Sequence, residues 1–322
     1  MAMDRLITLH QPSRLEVGAG AVARVGAWAE GAGRVLVITA SPVAGLVERL
    51  KLTGTVRVFS DVPPEPDDVA LEAALAAARA LRPDLVIGLG GGSVMDVAKL
   101  VAVLWDGAQT LAEVVGPDKV ARKLSLLAQV PTTAGTGSEA GIRALITNAA
   151  TNAKMAVESP LMRADLAVLD PGLTWTVPAA ITAATGVDAM AHCVEAFTNL
   201  RAHDMIDGFA RMGIALVGRY LRRAVENGRD TEAREGMMLA SYYGGICLGP
   251  VNTAAGHALA YPLGTRLHLP HGLANAIIFP HVLAFNQPAA PEKTAEIAAA
   301  LGLDPANLLA EASRWCRALG VE

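Results

Sequence analysis

Gly88-Leu89-Gly90-Gly91-Gly92-Ser93-Val94-Met95-Asp96-Val97-Ala98-Lys99 is the stretch on which the fold turns. It continues an apolar run of strand character, Asp84 to Leu89, and leads into a helix-like pattern, so the glycines fall where a strand hands over to a helix. Glycine there lets the backbone approach a ligand closely, and the new helix N-terminus offers unpaired N–H groups and the positive end of a dipole. A pyrophosphate suits that place. The bland reading is a plain βα turn in which Ser93 and Asp96 only cap the helix.

Upstream, Arg34 to Thr39 reads as a buried strand and Val43 to Leu50 as a helix. Thr55 to Phe59 reads as a second strand, running into Val62-Pro63-Pro64-Glu65-Pro66. Asp67 and Asp68 then open a helix with apolar residues at Val69, Leu71, Leu75, Ala78 and Leu81. Downstream, Leu126 to Val130 ends in Pro131-Thr132-Thr133, and Leu166 to Leu169 precedes Asp170-Pro171. Alternating strands and helices predict an α/β domain built on a mostly parallel sheet. Beyond Pro171 strand-like runs give way to long Ala-, Leu- and Met-rich stretches: Pro178 to Asn199, Met205 to Asn227 and Thr231 to Leu248. The expected organisation is an α/β domain over residues 1–172 and an all-helical domain over residues 173–322.

The chain of 322 residues carries 27 Lys and Arg against 31 Asp and Glu, for a net charge of −4, and is 52% hydrophobic, which excludes disorder and a fibrous protein. With no basic run longer than Arg222-Arg223 it lacks the footprint of a nucleic-acid binder. Cys193, Cys247 and Cys316 form no CxxC pair and fit a reducing compartment better than a disulfide framework. There is no apolar signal segment and no stretch of about 18 uncharged apolar residues to span a bilayer. A cytoplasmic protein with no membrane partner is expected.

A second Gly- and Thr-rich loop, Pro131-Thr132-Thr133-Ala134-Gly135-Thr136-Gly137-Ser138-Glu139, follows the Leu126–Val130 strand at the same carboxyl edge of the sheet. Ligands of open α/β sheets bind at that edge, and the hydroxyls of Thr132, Thr133 and Thr136 suit phosphate, ribose or a nicotinamide amide. They equally suit capping of a helix that Ser138 starts. In the helical half, Asp188 and His192 stand four apart, which puts carboxylate and imidazole on one helix face. With His257 and His271 they make a set suited to Zn²⁺ or Fe²⁺ with room for a substrate oxygen, although each histidine alone reads as a core or surface residue.

In this order and context the motifs resemble the iron-dependent alcohol dehydrogenase family. The resemblance runs from Leu6 to about Asn286 and includes Leu166-Ala167-Val168-Leu169-Asp170-Pro171 and Asn275-Ala276-Ile277-Ile278-Phe279-Pro280-His281. It implies a dinucleotide-binding α/β domain followed by a helical domain, on the dehydroquinate-synthase-like plan. The implied activity is metal-dependent interconversion of a small alcohol and its aldehyde or ketone, with NAD or NADP, one Fe²⁺ or Zn²⁺, and a homodimer or higher homo-oligomer. Residue by residue, it implies metal ligation by Asp188, His192, His257 and His271. Pyrophosphate contacts would come from Gly90, Gly91, Gly92 and Ser93, with Asp96 near the nicotinamide; Thr132, Thr133 and Thr136 would wrap the cofactor, and Lys154 would lie near its ribose. His10, His203, His268 and His281 match no ligand position and read as structural or solvent-facing.

Three departures stand out. Where many relatives carry a second histidine four residues after His257, this chain has Tyr261, either a hydroxyl that passes the alcohol's proton outward or a wall of the substrate pocket. Where many NAD-preferring relatives carry an Asp after the first strand, it has Ala40 and then Ser41, a pairing that admits NADP, with Ser41 as a donor to a 2′-phosphate. The family usually continues with further helices past the position of Glu322. Maleylacetate reductase is the nearest rival activity. A dehydroquinate-synthase-like lyase, a different reaction class, would need a basic pocket that the helical half is poor in, and a non-enzymatic nucleotide binder would give no reason for four metal-ligand positions.

Overall fold

The computed structural model describes residues 5–267 and 269–321; Met1 to Asp4, His268 and Glu322 lie outside the described residues. The chain forms two compact units. One comprises His10–Thr132 and Ser138–Leu173, and the other takes the chain from Thr174 onward, with Thr133–Gly137 and the N-terminal stretch as far as Leu9.

Among its described residues the first unit carries β1 (Leu15–Val17), α1 (Val25–Trp28), β2 (Arg34–Thr39), β3 (Thr55–Phe59), α2 (Asp68–Leu81), β4 (Leu85–Gly90) and α3 (Gly92–Leu104). It continues with α4 (Leu111–Val114), β5 (Gly116–Pro117), β6 (Leu126–Pro131), β7 (Arg143–Thr147), β8 (Lys154–Glu158) and β9 (Leu166–Leu169). Six strands form one sheet in the order β1-β9-β6-β4-β2-β3, every pair parallel. Alternate side chains of β2 serve opposite faces: Leu36 and Ile38 join one apolar cluster, with α2 and α3, while Val35 and Val37 join another. That double burial is why β2 reads as a continuous apolar run, and each fully buried Leu or Ile contributes about 1.5–3 kcal/mol. Asp67 caps α2, its carboxylate accepting from the Ala70 N–H at 2.8 Å.

The parallel sheet of strands alternating with helices follows the expectation, with three differences. Ser41–Leu50 is a continuous 3₁₀ helix, entered through Pro42 and containing Gly45, which disfavours an α-helix there. The short edge strand β1 was not expected. Neither was a second sheet, β5-β8-β7, in which β7 and β8 pair antiparallel.

The second unit is helical: α5 (Ala179–Phe197), α6 (Asp204–Glu226), α7 (Thr231–Leu248), α8 (Ala255–Leu267), α9 (His271–Asn286), α10 (Pro291–Leu301) and α11 (Leu308–Ala318). Its axis is α5, packed against α6, α7, α8 and α9, with every residue from Gly186 through Phe197 buried. A helix enclosed on all sides is apolar all round. The buried polar residues Asp188, His192 and Glu195 therefore stand out against it. No helix among the described residues is long and apolar enough to cross a membrane.

Candidate active site

The helical unit brings together four residues from three helices. Asp188 and His192 come from α5, His257 from the first turn of α8, and His271 opens α9. Asp188 Oδ1 lies 3.4 Å from His257 Nε2, 3.6 Å from His271 Nε2 and 3.9 Å from His192 Nε2. Donor atoms of Asp188, His192 and His257 all fall within 4.8 Å of one another. A tetrahedral ion about 2.1 Å from each donor would hold them about 3.4 Å apart, so the set fits one divalent metal with little rearrangement. Asp188, His192 and His257 are buried; the His271 side chain is 26% exposed, so solvent reaches the set on its side.

The imidazoles are oriented for that task. His257 Nδ1 stands 2.7 Å from Glu195 Oε1, and His192 Nδ1 stands 3.3 Å from the Gly135 carbonyl. An Nδ1–H donated to each acceptor leaves the Nε2 lone pair facing Asp188, the arrangement by which neighbours fix a metal-binding histidine. The Ala254 and His257 backbone N–H groups also donate to Glu195. Gly256 makes room for that carboxylate: a Cβ there would lie 2.4 Å from Glu195 Oε1. Asn275 Nδ2 donates to Asp188 Oδ1 at 2.7 Å and lies 3.2 Å from the Nε2 atoms of both His257 and His271, while its own Oδ1 has no partner among the described residues.

Charge follows geometry. Burial pushes the Asp188 carboxyl up, but the surrounding imidazoles outweigh it and hold the group far below the usual carboxylate range. Burial pulls His192 down to about 4, keeping it neutral and able to offer a lone pair. For His257 burial is outweighed by hydrogen bonds to Asp188 and Glu195, which raise it to about 9, so with no cation present Nε2 also carries a proton toward Asp188, and a bound metal would take that proton's place.

Glu195 and Asn275 are the participants that the sequence reading missed. Both had a signal: Asp188, His192 and Glu195 follow a four-then-three spacing on one helix face, and Asn275 lies four residues after His271. Tyr261 lies one turn beyond His257 in α8. Its ring stacks on His271, with centroids 5.5 Å apart and planes at 24°, and meets His257 edge-on at 6.4 Å. Of the other histidines, His203 caps α6, His281 is exposed, His10 is half-buried, and His268 lies outside the described residues.

In the sheet unit, α3 starts two residues after β4 ends. Its N-cap, Gly91, carries no side-chain hydrogen bond, so the first-turn N–H groups remain available to an anion. Ser93 Oγ accepts from the Glu65 N–H at 3.3 Å, and the Thr132 N–H donates to the Gly90 carbonyl at 2.9 Å. Asp96 is engaged with protein: one oxygen accepts from the Ser138 hydroxyl at 2.6 Å, the other from the Leu145 N–H at 2.9 Å. Lys99, fully buried beneath it, donates to Ser138 Oγ and to the Arg143 carbonyl, both at 2.7 Å. Burial lowers Lys99 from its ordinary value and pushes the buried Glu139 carboxyl up to about 7. Lys154 pairs with Glu65 and donates to Thr147 Oγ1 at 2.9 Å, and the Ser41 hydroxyl donates to the Ser60 carbonyl at 3.1 Å.

Thr133 and Thr136 lie in the segment that clusters with the helices, and Ser138 begins only a three-residue 3₁₀ turn, Ser138–Ala140, rather than a full helix. In that segment Gly137 has φ +60°, its N–H donates to Ser241 Oγ at 3.1 Å, and a Cβ would lie 2.3 Å from the Ser241 carbonyl oxygen. Packing against α7 alone therefore demands glycine there.

Residues 12–171 match the family described as iron-containing alcohol dehydrogenase, and residues 182–320 match the C-terminal part of the Fe-containing alcohol dehydrogenase family. Long-chain-alcohol dehydrogenase 1 of Geobacillus thermodenitrificans (strain NG80-2) is 40% identical over 282 residues, which cover 84% of this chain and 71% of that relative. A crystal structure of a 1,3-propanediol oxidoreductase aligns with TM-score 0.93 and 32% identity, covering 99% of this chain and 88% of the other. The sulfoacetaldehyde reductase of Bifidobacterium kashiwanohense, solved in complex with NAD⁺, aligns with TM-score 0.91 and 29% identity, covering 99% and 87%.

Proposed function

The chain belongs to the iron-containing alcohol dehydrogenase family, and from that premise we propose that it interconverts a small alcohol and its aldehyde or ketone at a metal held by Asp188, His192, His257 and His271. The observation that carries this reading is the convergence of the three Nε2 atoms on Asp188 Oδ1, with the Nδ1 atoms of His192 and His257 already tied. A divalent metal there, Fe²⁺ or Zn²⁺, supplies Lewis-acid polarisation of the alcohol or carbonyl oxygen, and a nicotinamide dinucleotide, NAD or NADP, supplies or accepts the hydride.

The chain's own residues bind and orient. Gly90, Gly91, Gly92 and Ser93, at the open N-terminus of α3, receive the pyrophosphate. Asp96 and Lys99 act from beneath, fixing Ser138 and β7 to α3. Ala40 and Ser41 border the adenosine, Lys154 lies toward a ribose, and Thr132, Thr133 and Thr136 line the cofactor. Glu195 holds the proton on His257 Nδ1, and Asn275 steadies Asp188. Tyr261, stacked on His271, forms a wall of the substrate pocket; a phenol is a poor base at neutral pH, so the alcohol's proton leaves to water.

These relatives favour neither the maleylacetate reductase nor the lyase reading. Residence in the cytoplasm is supported by three buried cysteines that form no disulfide, and assembly as a homodimer or higher homo-oligomer completes the proposal. The test is metal analysis of the purified protein with a screen of small alcohols and aldehydes by NAD(P)H absorbance, adding back Fe²⁺ or Zn²⁺. Full turnover by metal-free protein would remove the proposal.

A further inference from the structure

The carboxyl end of β2 lies beside the strand that feeds the glycine turn, Thr39 pairing with Leu89. In dinucleotide-binding sheets that end is where an acid holds the adenosine ribose and repels a 2′-phosphate. Here the residue at that end is Ala40. Its neighbour does not compensate with a free donor, because the Ser41 hydroxyl has one proton and directs it to the Ser60 carbonyl.

The chain leaving β3 brings a carboxylate to the same spot. Ala40 and Asp61 form an isolated antiparallel bridge. Residues opposed in such a bridge send their side chains to the same face, with Cβ atoms about 4.5–5.5 Å apart. A carboxylate on Asp61 therefore reaches to within a hydrogen bond of the place that one at position 40 would occupy. Asp61 is exposed, and its backbone is held from both sides, by the Ser41 hydrogen bond to Ser60 and by the buried side chain of Val62.

We propose that Asp61 is the residue that selects the dinucleotide: it accepts hydrogen bonds from the adenosine ribose hydroxyls in place of an acid at position 40 and excludes a 2′-phosphate, which makes the chain selective for NAD(H). This rests on the reading that the turn at Gly90–Ser93 binds a dinucleotide. The absence of an acid at Ala40 then signals a relocated carboxylate instead of an NADP site.

The test is fluorescence titration of the full-length protein with NADH and with NADPH, for wild type, Asp61→Asn and the double variant Asp61→Asn, Ala40→Asp. Thermal unfolding of each variant verifies that the exposed substitutions leave the fold intact. Wild type is expected to bind NADH about ten- to a hundredfold more tightly than NADPH, the range set by one charge-assisted hydrogen bond. Asp61→Asn should bring the two near parity, and adding Ala40→Asp should restore the preference. An Asp61→Asn ratio equal to wild type, with both dinucleotides bound, would overturn the role of Asp61 alone; so would a wild type that prefers NADPH. Binding of neither dinucleotide to wild type would overturn the dinucleotide reading itself, and this proposal with it.

Discussion

As proposed binding sites, the glycine turn at the end of β4 and the donor cluster on α5, α8 and α9 would work in opposite ways. At the turn the working groups are backbone N–H groups at the start of α3, and the side chains around them, Asp96 and Lys99, are occupied in fixing neighbouring chain. In the helical cluster the working groups are side-chain atoms, and backbone serves to aim them, as the Gly135 carbonyl does for His192. The first kind of site is contiguous in sequence, and it depends on side chains being absent: a Cβ at Gly88 would lie 2.5 Å from Gln129 Oε1 and one at Gly90 2.6 Å from Val94 Cγ2. The second is assembled from residues 188 to 271 and depends on groups that touch no ligand.

Removing a donor outright should break that contrast most visibly. His257→Ala is expected to lose bound metal, with turnover falling at least about a thousandfold, beyond the 10–100-fold typical of outer partners, while NADH binding persists. Metal analysis with NADH fluorescence titration reads both halves, and loss of both together would make the two sites one cooperative unit. Glu195→Ala or Asn275→Leu should weaken metal affinity by about 10–100-fold in a chelator competition, with all four donors intact. Unchanged affinity would mean that the imidazoles need no aiming.

The sheet unit offers a sharper, smaller test through Glu139. Its carboxyl titrates at about 7 in the folded protein against an ordinary 4.5, because burial disfavours the charge. As pH rises past 4.5 the unfolded chain gives up this proton first, so the folded state loses stability up to about pH 7 and no further. Glu139→Gln carries no such charge and should gain on wild type across that window, by about 1–3 kcal/mol at pH 8, in denaturant unfolding at several pH values. A pH-independent difference would contradict the burial argument. The smallest effect is expected at Tyr261. Tyr261→Phe should keep turnover within a few-fold, and only Tyr261→Ala should alter the substrate range; a drop of about a hundredfold for Tyr261→Phe would assign the hydroxyl to proton transfer.

What could be read from the sequence divides along the same line. The buried strands β2, β4, β6 and β9 announce themselves because burial on both faces demands apolar runs, whereas β1 is three residues long at a sheet edge and β5 only two. Strands β7 and β8 are half-buried, and their weak alternation of polar and apolar residues carries little strand signal. Helices α5, α6 and α7 are legible within two residues of their ends because α5 and α7 are largely enclosed and α6 is two-faced. Glu195 and Asn275 were legible as helical neighbours of named donors. The Gly135 carbonyl was not, since every residue has one, and neither was the Ala40–Asp61 bridge, which joins positions in separate segments of chain.

The loop from Thr132 to Ser138 carries a consequence for protein engineering. It looks like the natural place to graft a new coenzyme preference, yet within five residues it contains the acceptor that keeps the His192 tautomer and the glycine that α7 presses against. Laboratory evolution that randomises this segment to reach the nucleotide would also disturb the aim of His192 in the proposed metal site. Libraries confined to the tips of β2 and β3 would leave that chemistry undisturbed.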